Sequence, residues 1–161
     1  MIVKVADLSE VVRQARYRES AGPLNDLLGQ VPQGDHHRFE SDLEVDSELY
    51  RHGTDVYFQG NLSGTVRTAC RRCLEDFDWQ LARAFRFLIV KTARGTEEPE
   101  DDTGIDHYAG YDIDLSPLVR EQALLALDDR GLCSEECKGL CPGCGANLNG
   151  EDCKCRHRQD R

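Results

Sequence analysis

Eight cysteines supply most of the chemistry available to this 161-residue chain. Cys70 and Cys73 form a Cys-x-x-Cys in the middle of the sequence. The other six lie near its end: Cys133 and Cys137 with three residues between them, Cys141-Pro-Gly-Cys144-Gly145, and Cys153-Lys-Cys155. Closely spaced thiolates are soft ligands for a divalent ion, and a closed structural zinc site takes four of them at about 2.3 Å. A Cys-x-x-Cys turn aims two sulfurs inward and points backbone amides at them. In Cys141-Pro-Gly-Cys144-Gly145, Pro142 restricts the turn and Gly145 suits the positive φ that follows it. We read all eight as ligands of two structural zinc ions; disulfides and plain buried thiols are the competing readings.

The spacing divides these ligands in one preferred way. Cys141, Cys144, Cys153 and Cys155 can close a site locally, because Asn147-Leu-Asn-Gly150 between the pairs reads as a turn. Cys70, Cys73, Cys133 and Cys137 would then form a second site joining distant segments. The alternative is a tail site built from Cys137, Cys141, Cys144 and one of Cys153 or Cys155, which leaves spare thiols. His157 is a further candidate to replace Cys155. His36, His37, His52 and His107 stand far from any matching pair and read as surface residues.

Catalytic readings fit less well. Hydrolytic zinc keeps an open coordination position and usually a histidine or carboxylate ligand. A thioredoxin-like dithiol needs its Cys-x-x-Cys at a helix start after a parallel strand. No glycine-rich phosphate loop, His-Glu-x-x-His or nucleophile elbow is present in the sequence. We therefore expect no enzyme, with a thiol–disulfide oxidoreductase or a zinc-ribbon transcription accessory as alternatives.

The elements that must position the thiols are mostly strands. Residues 2–6 read as a short first strand. Leu8 to Leu28 is weakly helical in its first half and is interrupted by Gly22-Pro23. From about Arg38 the apolar period becomes two. Phe39, Leu43 and Val45 mark one strand, Val56 and Phe58 a second, and Leu62, Val66 and Thr68 a third. Phe77, Trp79, Leu81, Phe85, Phe87 and Ile89 mark a fourth. Glycines 53, 60, 64 and 95 bound them, and Cys70 to Cys73 falls at the tip of a hairpin. Residues 95–112 read as an acidic, solvated loop. A helix over 116–127 follows, with Ser116 as cap, Pro117 in the first turn and Gly131 beyond its end. The expected fold class is α+β: an antiparallel sheet with one packed helix and a C-terminal zinc-stapled knuckle region. Residues 1–130 make the β-rich domain, and 131–161 the cysteine-rich tail packed on it.

A net charge of −10 argues against a general nucleic-acid binder and for attraction to basic partners, of which ribosomal proteins are the obvious class. Arg67, Arg71 and Arg72, with Arg83 and Arg86, are nevertheless candidate local contacts to RNA phosphate, and Lys154, Arg156, Arg158 and Arg161 form a short basic tail. The amino terminus shows no secretion signal and no apolar run reaches membrane-spanning length, so a cytoplasmic location without membrane contact is expected.

Three stretches together resemble the YceD family, the large-ribosomal-RNA-accumulation proteins of bacteria and plastids. They are Cys70-Arg-Arg-Cys73-Leu74, then Asp112-Ile-Asp-Leu115 leading into Glu121-Gln-Ala-Leu-Leu-Ala-Leu127, and Cys137-Lys-Gly-Leu-Cys-Pro-Gly-Cys-Gly-Ala-Asn-Leu-Asn149 with its Cys-x-Cys. The resemblance spans about residues 56 to 155. It implies a non-enzymatic ribosome-biogenesis factor needed for the synthesis, processing or stability of large-subunit (23S) ribosomal RNA. The implied partner is a large-subunit ribosomal protein or a pre-ribosomal particle. It also implies that some members keep only the counterparts of Cys70, Cys73, Cys133 and Cys137. Asp128-Asp129 departs from the family pattern, which has proline there, and this puts the geometry before Cys133 in question.

Overall fold

A computed structural model describes residues 1–30, 37–92, 105–127, 131–153 and 155. The chain runs β1 (Ile2–Lys4), a 3₁₀ turn, β2 (Arg13–Glu19), α1 (Ala21–Leu28), β3 (His37–Phe39), β4 (Leu43–His52), β5 (Asp55–Ala69) and β6 (Asp76–Lys91). It continues through β7 (Ile105–Tyr108), β8 (Asp112–Asp114) and α2 (Ser116–Leu125) into the cysteine-rich segment. The main sheet has the order β2-β4-β5-β6-β7, with β3 also pairing β5; β1 and β8 form a separate antiparallel pair. Among the described residues the fold is α+β, with a mostly antiparallel mixed sheet and two helices where one was expected.

Period-two alternation builds the core. Val45, Leu49, Val56, Phe58, Leu62, Leu81, Phe85, Phe87 and Ile89 all face one side and are buried. Phe58 packs against both Phe85 and Phe87, with ring centroids 4.8 and 6.1 Å away. Leu24 and Leu28 of α1 and Val119 and Ala123 of α2 join the same cluster. α2 is tied to β2 by Arg120, whose guanidinium lies 2.6 Å from the buried Glu19 carboxylate.

Several sequence expectations change. The stretch before Gly22 is a strand: β2 pairs with β4 from Arg13↔Leu49 to Glu19↔Leu43. Its arginines find acids across the ladder, Arg16 beside Asp46 and Arg18 beside Glu44, a stabilisation that local periodicity cannot show. Gly22-Pro23 lies in the first turn of α1 instead of breaking a helix, because amides there have no intrahelical acceptor to lose. The expected second and third strands are one, β5. Gly60 does not end it, because a Cβ there would meet the Asp46 carbonyl at 2.2 Å; the missing side chain lets β4 and β5 close together.

The pair β6–β7 is parallel, from Leu88↔Ile105 to Lys91↔Tyr108. Parallel pairing needs a crossover where a hairpin would serve an antiparallel one, and residues 93–104 lie outside the described set. The expected loop at 95–112 is therefore corrected over its last part, which is strand. There Tyr108 is buried and donates its hydroxyl to the Thr54 carbonyl at 2.7 Å. In α2, Ser116 is the first helical residue and not the cap. Its amide donates to the Asp114 carboxylate at 3.0 Å, so Asp114 takes the capping role. Asp128 to Arg130, the expected helix stop and the end of the expected first domain, lie outside the described residues. Among the described residues no helix is long and apolar enough to cross a membrane.

Candidate metal centres

The β5–β6 hairpin carries Cys70 to Cys73 at its tip, where pairing stops at Ala69↔Asp76. The chain returning from α2 lies against that tip: the Arg71 amide donates to the Gly131 carbonyl at 3.2 Å, and the Leu140 amide to the Arg72 carbonyl at 2.9 Å. This brings Cys133 and Cys137 to the hairpin. The eight cysteines then fall into two groups, Cys70/Cys73/Cys133/Cys137 and Cys141/Cys144/Cys153/Cys155, with the sulfurs of each group within 4.8 Å of one another. The other tail grouping, which used Cys137, is not assembled.

Both tetrads fit a tetrahedral cation. Four sulfurs at about 2.3 Å from one ion stand about 3.8 Å apart. In the first group Cys70–Cys137 is 3.8 Å and Cys73–Cys133 3.7 Å. In the second Cys144–Cys153 is 3.6 Å and Cys141–Cys153 a closer 3.2 Å. The surroundings differ. In the first tetrad only Cys133 is exposed, and Phe77 and Leu132 pack against the rest; in the second only Cys141 is buried.

The two turns share one hydrogen-bond pattern. The Leu74 amide donates to the Cys70 carbonyl and the Gly145 amide to the Cys141 carbonyl, both at 2.8 Å. The Cys70 amide donates to the Glu75 carbonyl and the Cys141 amide to the Ala146 carbonyl, also at 2.8 Å. Gly145 follows its turn at φ 76°, as expected. Amides also point at sulfur: Gly143 to Cys141 at 3.4 Å and Cys155 to Cys153 at 3.3 Å.

These donors polarise the thiols. Burial raises Cys70, but the amides of Cys133, Cys73 and Arg72 outweigh it and hold the thiol down at about 6. The Cys153 thiol and the amides of Cys144 and Gly143 hold Cys141 down at about 6 against its burial. One thiol of each group goes furthest the other way. Burial and three neighbouring sulfurs push Cys133 up to about 12, and Cys144, Cys153, burial and Cys141 push Cys155 up to about 12. Four sulfurs this close cannot all ionise at neutral pH by themselves, whereas a divalent cation removes the mutual repulsion. This donor set fits a soft or borderline metal.

Sequence reasoning missed two side chains that join the centres. Asn149, between the ligand pairs of the second tetrad, donates from Nδ2 to the Cys137 sulfur of the first at 3.3 Å, and its Oδ1 accepts the Lys138 amide at 2.8 Å. Asn147 donates to the Glu75 carboxylate beside the hairpin tip at 2.8 Å. Their signal in the sequence is Asn147-Leu-Asn149, which reads there as a turn and as part of the family motif.

Three of the arginines singled out for phosphate, Arg67, Arg72 and Arg83, have protein partners. Arg67 is paired with Asp78 at 2.9 Å, and Arg72 donates to the carbonyls of Cys137 at 3.0 Å and Glu135 at 3.2 Å, which ties hairpin to tail. Arg71 is exposed, and Arg83 donates to Gln122 at 3.0 Å. His37 and His107 are half-buried within strands instead of lying on the surface, while His52 is exposed beside Glu10. His36, His157 and the basic positions from Lys154 onward, Cys155 excepted, lie outside the described residues.

Residues 58–161 match the family model described as large ribosomal RNA subunit accumulation protein YceD. The chain is similar to the chloroplastic large ribosomal RNA subunit accumulation protein YCED homolog 1 of Arabidopsis thaliana, at 30% identity over 74% of this chain and 46% of that protein. The homolog 1 of Zea mays is 32% identical over 60% of this chain and 44% of that protein. An uncharacterised protein of Mycobacterium tuberculosis H37Rv is 26% identical over 68% of this chain and 53% of its own length. The chain thus spans about half the length of the curated relatives it matches. No solved structure matches it.

Proposed function

The chain belongs to the YceD family, and from that premise we propose that it is a non-enzymatic ribosome-biogenesis factor. It supports the synthesis, processing or stability of large-subunit (23S) ribosomal RNA by binding a ribosomal protein or a pre-ribosomal particle in the cytoplasm. The eight cysteines hold two zinc ions, and their role is to maintain shape. The second ion staples the 131–161 tail, and the first joins that tail to the 1–130 body.

The observation that carries this reading is the pair of four-sulfur groups, one spanning hairpin and tail, inside the segment matched by the family model. Four protein thiolates fill a tetrahedral zinc ion, so no position remains for substrate. Because such ligands converge only in the folded chain, metal binding contributes folding free energy directly. Zinc is favoured among soft-ligand metals by tetrahedral four-sulfur geometry, which iron–sulfur chemistry shares; elemental analysis separates the two.

The test is metal analysis of the purified chain together with sedimentation of extracts from depleted cells. We expect close to two zinc ions per chain, co-sedimentation with large-subunit precursors, and loss of large-subunit RNA on depletion. A metal-free protein that reduces a model disulfide would point to an oxidoreductase. A zinc-loaded protein that binds polymerase or DNA and ignores ribosomal particles would point to a transcription accessory.

A further inference from the structure

The two cysteine turns share their backbone bonds but differ at the residue after the second cysteine. In the tail turn it is Gly145, at φ 76°. In the hairpin turn it is Leu74, at φ 60°, the one non-glycine residue with positive φ among those described. In the left-handed region an L-residue sets its Cβ against the following carbonyl, a conflict that glycine avoids. Side-chain packing among the described residues does little to offset this, because 65% of the Leu74 surface is exposed. Tyr111, Val11 and Ile2 are more exposed still, but in ordinary backbone conformations; only at Leu74 do strain and exposure of a large apolar group coincide. Backbone strain held in place by a rigid surrounding structure is a pointer to function. Here that structure is the turn itself, held by the Leu74-to-Cys70 and Cys70-to-Glu75 bonds.

We propose that Leu74 is the apolar anchor of a docking surface, and that its partner is a basic protein with an apolar pocket. This rests on the ribosome-biogenesis reading above and names the contact that serves it. The charge around the anchor selects a protein over nucleic acid. Glu75, Asp76, Glu135, Glu136, Glu151 and Asp152 are exposed at this end of the described structure, against Arg71, Arg72 and Lys138. Of those three cations Arg72 already holds two backbone carbonyls. Among the described residues acids outnumber cations at this end, so phosphate would be disfavoured and lysine- and arginine-rich protein drawn in, with Leu74 as the central desolvated contact.

The test separates strain from contact in the full zinc-loaded chain. Leu74→Gly relieves the backbone, so its thermal midpoint should rise by about 2–4 °C. Leu74→Ala keeps the strain and should leave the midpoint within about a degree. Both remove the anchor, so both should weaken binding to purified large-subunit particles by about 10–100-fold, read by anisotropy of the labelled chain. Naked large-subunit RNA serves as the parallel arm, and p-benzoylphenylalanine at position 74 reports what the residue touches. Cross-linking to protein supports the proposal; cross-linking to RNA alone, or equal losses on naked RNA, overturns it. Wild-type binding to particles with no loss in either variant also overturns it and leaves the biogenesis reading intact. If the wild-type chain ignores particles altogether, both fall.

Discussion

Asn149→Ala is the most incisive test of how the two centres depend on each other. The side chain belongs to the turn between ligand pairs of the second tetrad, yet its amide donates to the Cys137 sulfur at 3.3 Å and its oxygen accepts the Lys138 amide at 2.8 Å. Truncation removes both bonds to the first centre and leaves all eight cysteines in place. One such bond is worth about fivefold in an equilibrium constant after exchange with water, so the two together are worth about 25-fold. That falls within the 10–100-fold typical of groups that orient a metal ligand from behind. Asn149→Asp keeps the acceptor for Lys138 but sets a carboxylate beside a thiolate, so its loss should be larger than that of alanine. The assay is competition for zinc against a chromophoric chelator, resolved into two phases. A Cys144→Ser/Cys153→Ser variant identifies which phase belongs to the tail. The expected result is weaker retention at the hairpin centre with the tail phase unchanged. If Asn149→Ala keeps the hairpin-centre affinity within about threefold of wild type, the outer hydrogen bond has no role in holding metal and the reasoning fails.

Three further outcomes follow from the same geometry. Cys73→Ser and Cys144→Ser should each lower the metal content from two ions per chain towards one, and the buried position should cost far more thermal stability because that tetrad joins hairpin to tail; elemental analysis and melting curves check both. Arg120→Ala leaves the Glu19 carboxylate, 5% exposed, without its cation. With Arg120 itself partly exposed, the loss should be about 2 kcal/mol and the thermal midpoint should fall by about 5 °C, measured by calorimetry. The Cys70 and Cys141 thiols lie at about 6 instead of their ordinary 9.0. Their lowered values favour the thiolate, so the stability they contribute is present above the ordinary value and is lost as the pH falls through about 6. Because protons compete with the cation for all four thiolates of a centre, metal should be retained at neutral pH and released on acidification, as followed by a zinc-sensitive dye.

The sequence by itself determined the cysteine pattern and the core face of the central strands. Cys-x-x-Cys turns carry their geometry locally: Gly145 takes positive φ and Cys70 to Cys73 falls at a hairpin tip because spacing alone dictates both. The alternation from Phe77 to Ile89 placed the core face of β6 correctly, since a pleated strand exposes alternate residues whatever its neighbours are. Other features were settled only by tertiary structure. β2 reads weakly by itself and becomes a strand because β4 offers a backbone edge from Leu43 to Leu49, to which the exposed pairs of Asp46 and Glu44 with its arginines add little. Gly60 signals a break in sequence but permits a close strand crossing in space. β7 depends on a parallel partner, which no local pattern records. The grouping of thiols 60 or more positions apart, Cys70 with Cys137 and Cys73 with Cys133, depends on α2 returning the chain to the hairpin. So do the roles of Arg72 and Asn149. A ligand's chemistry is carried by its residue type and near neighbours, but which ligands meet is decided by packing between segments far apart in the chain.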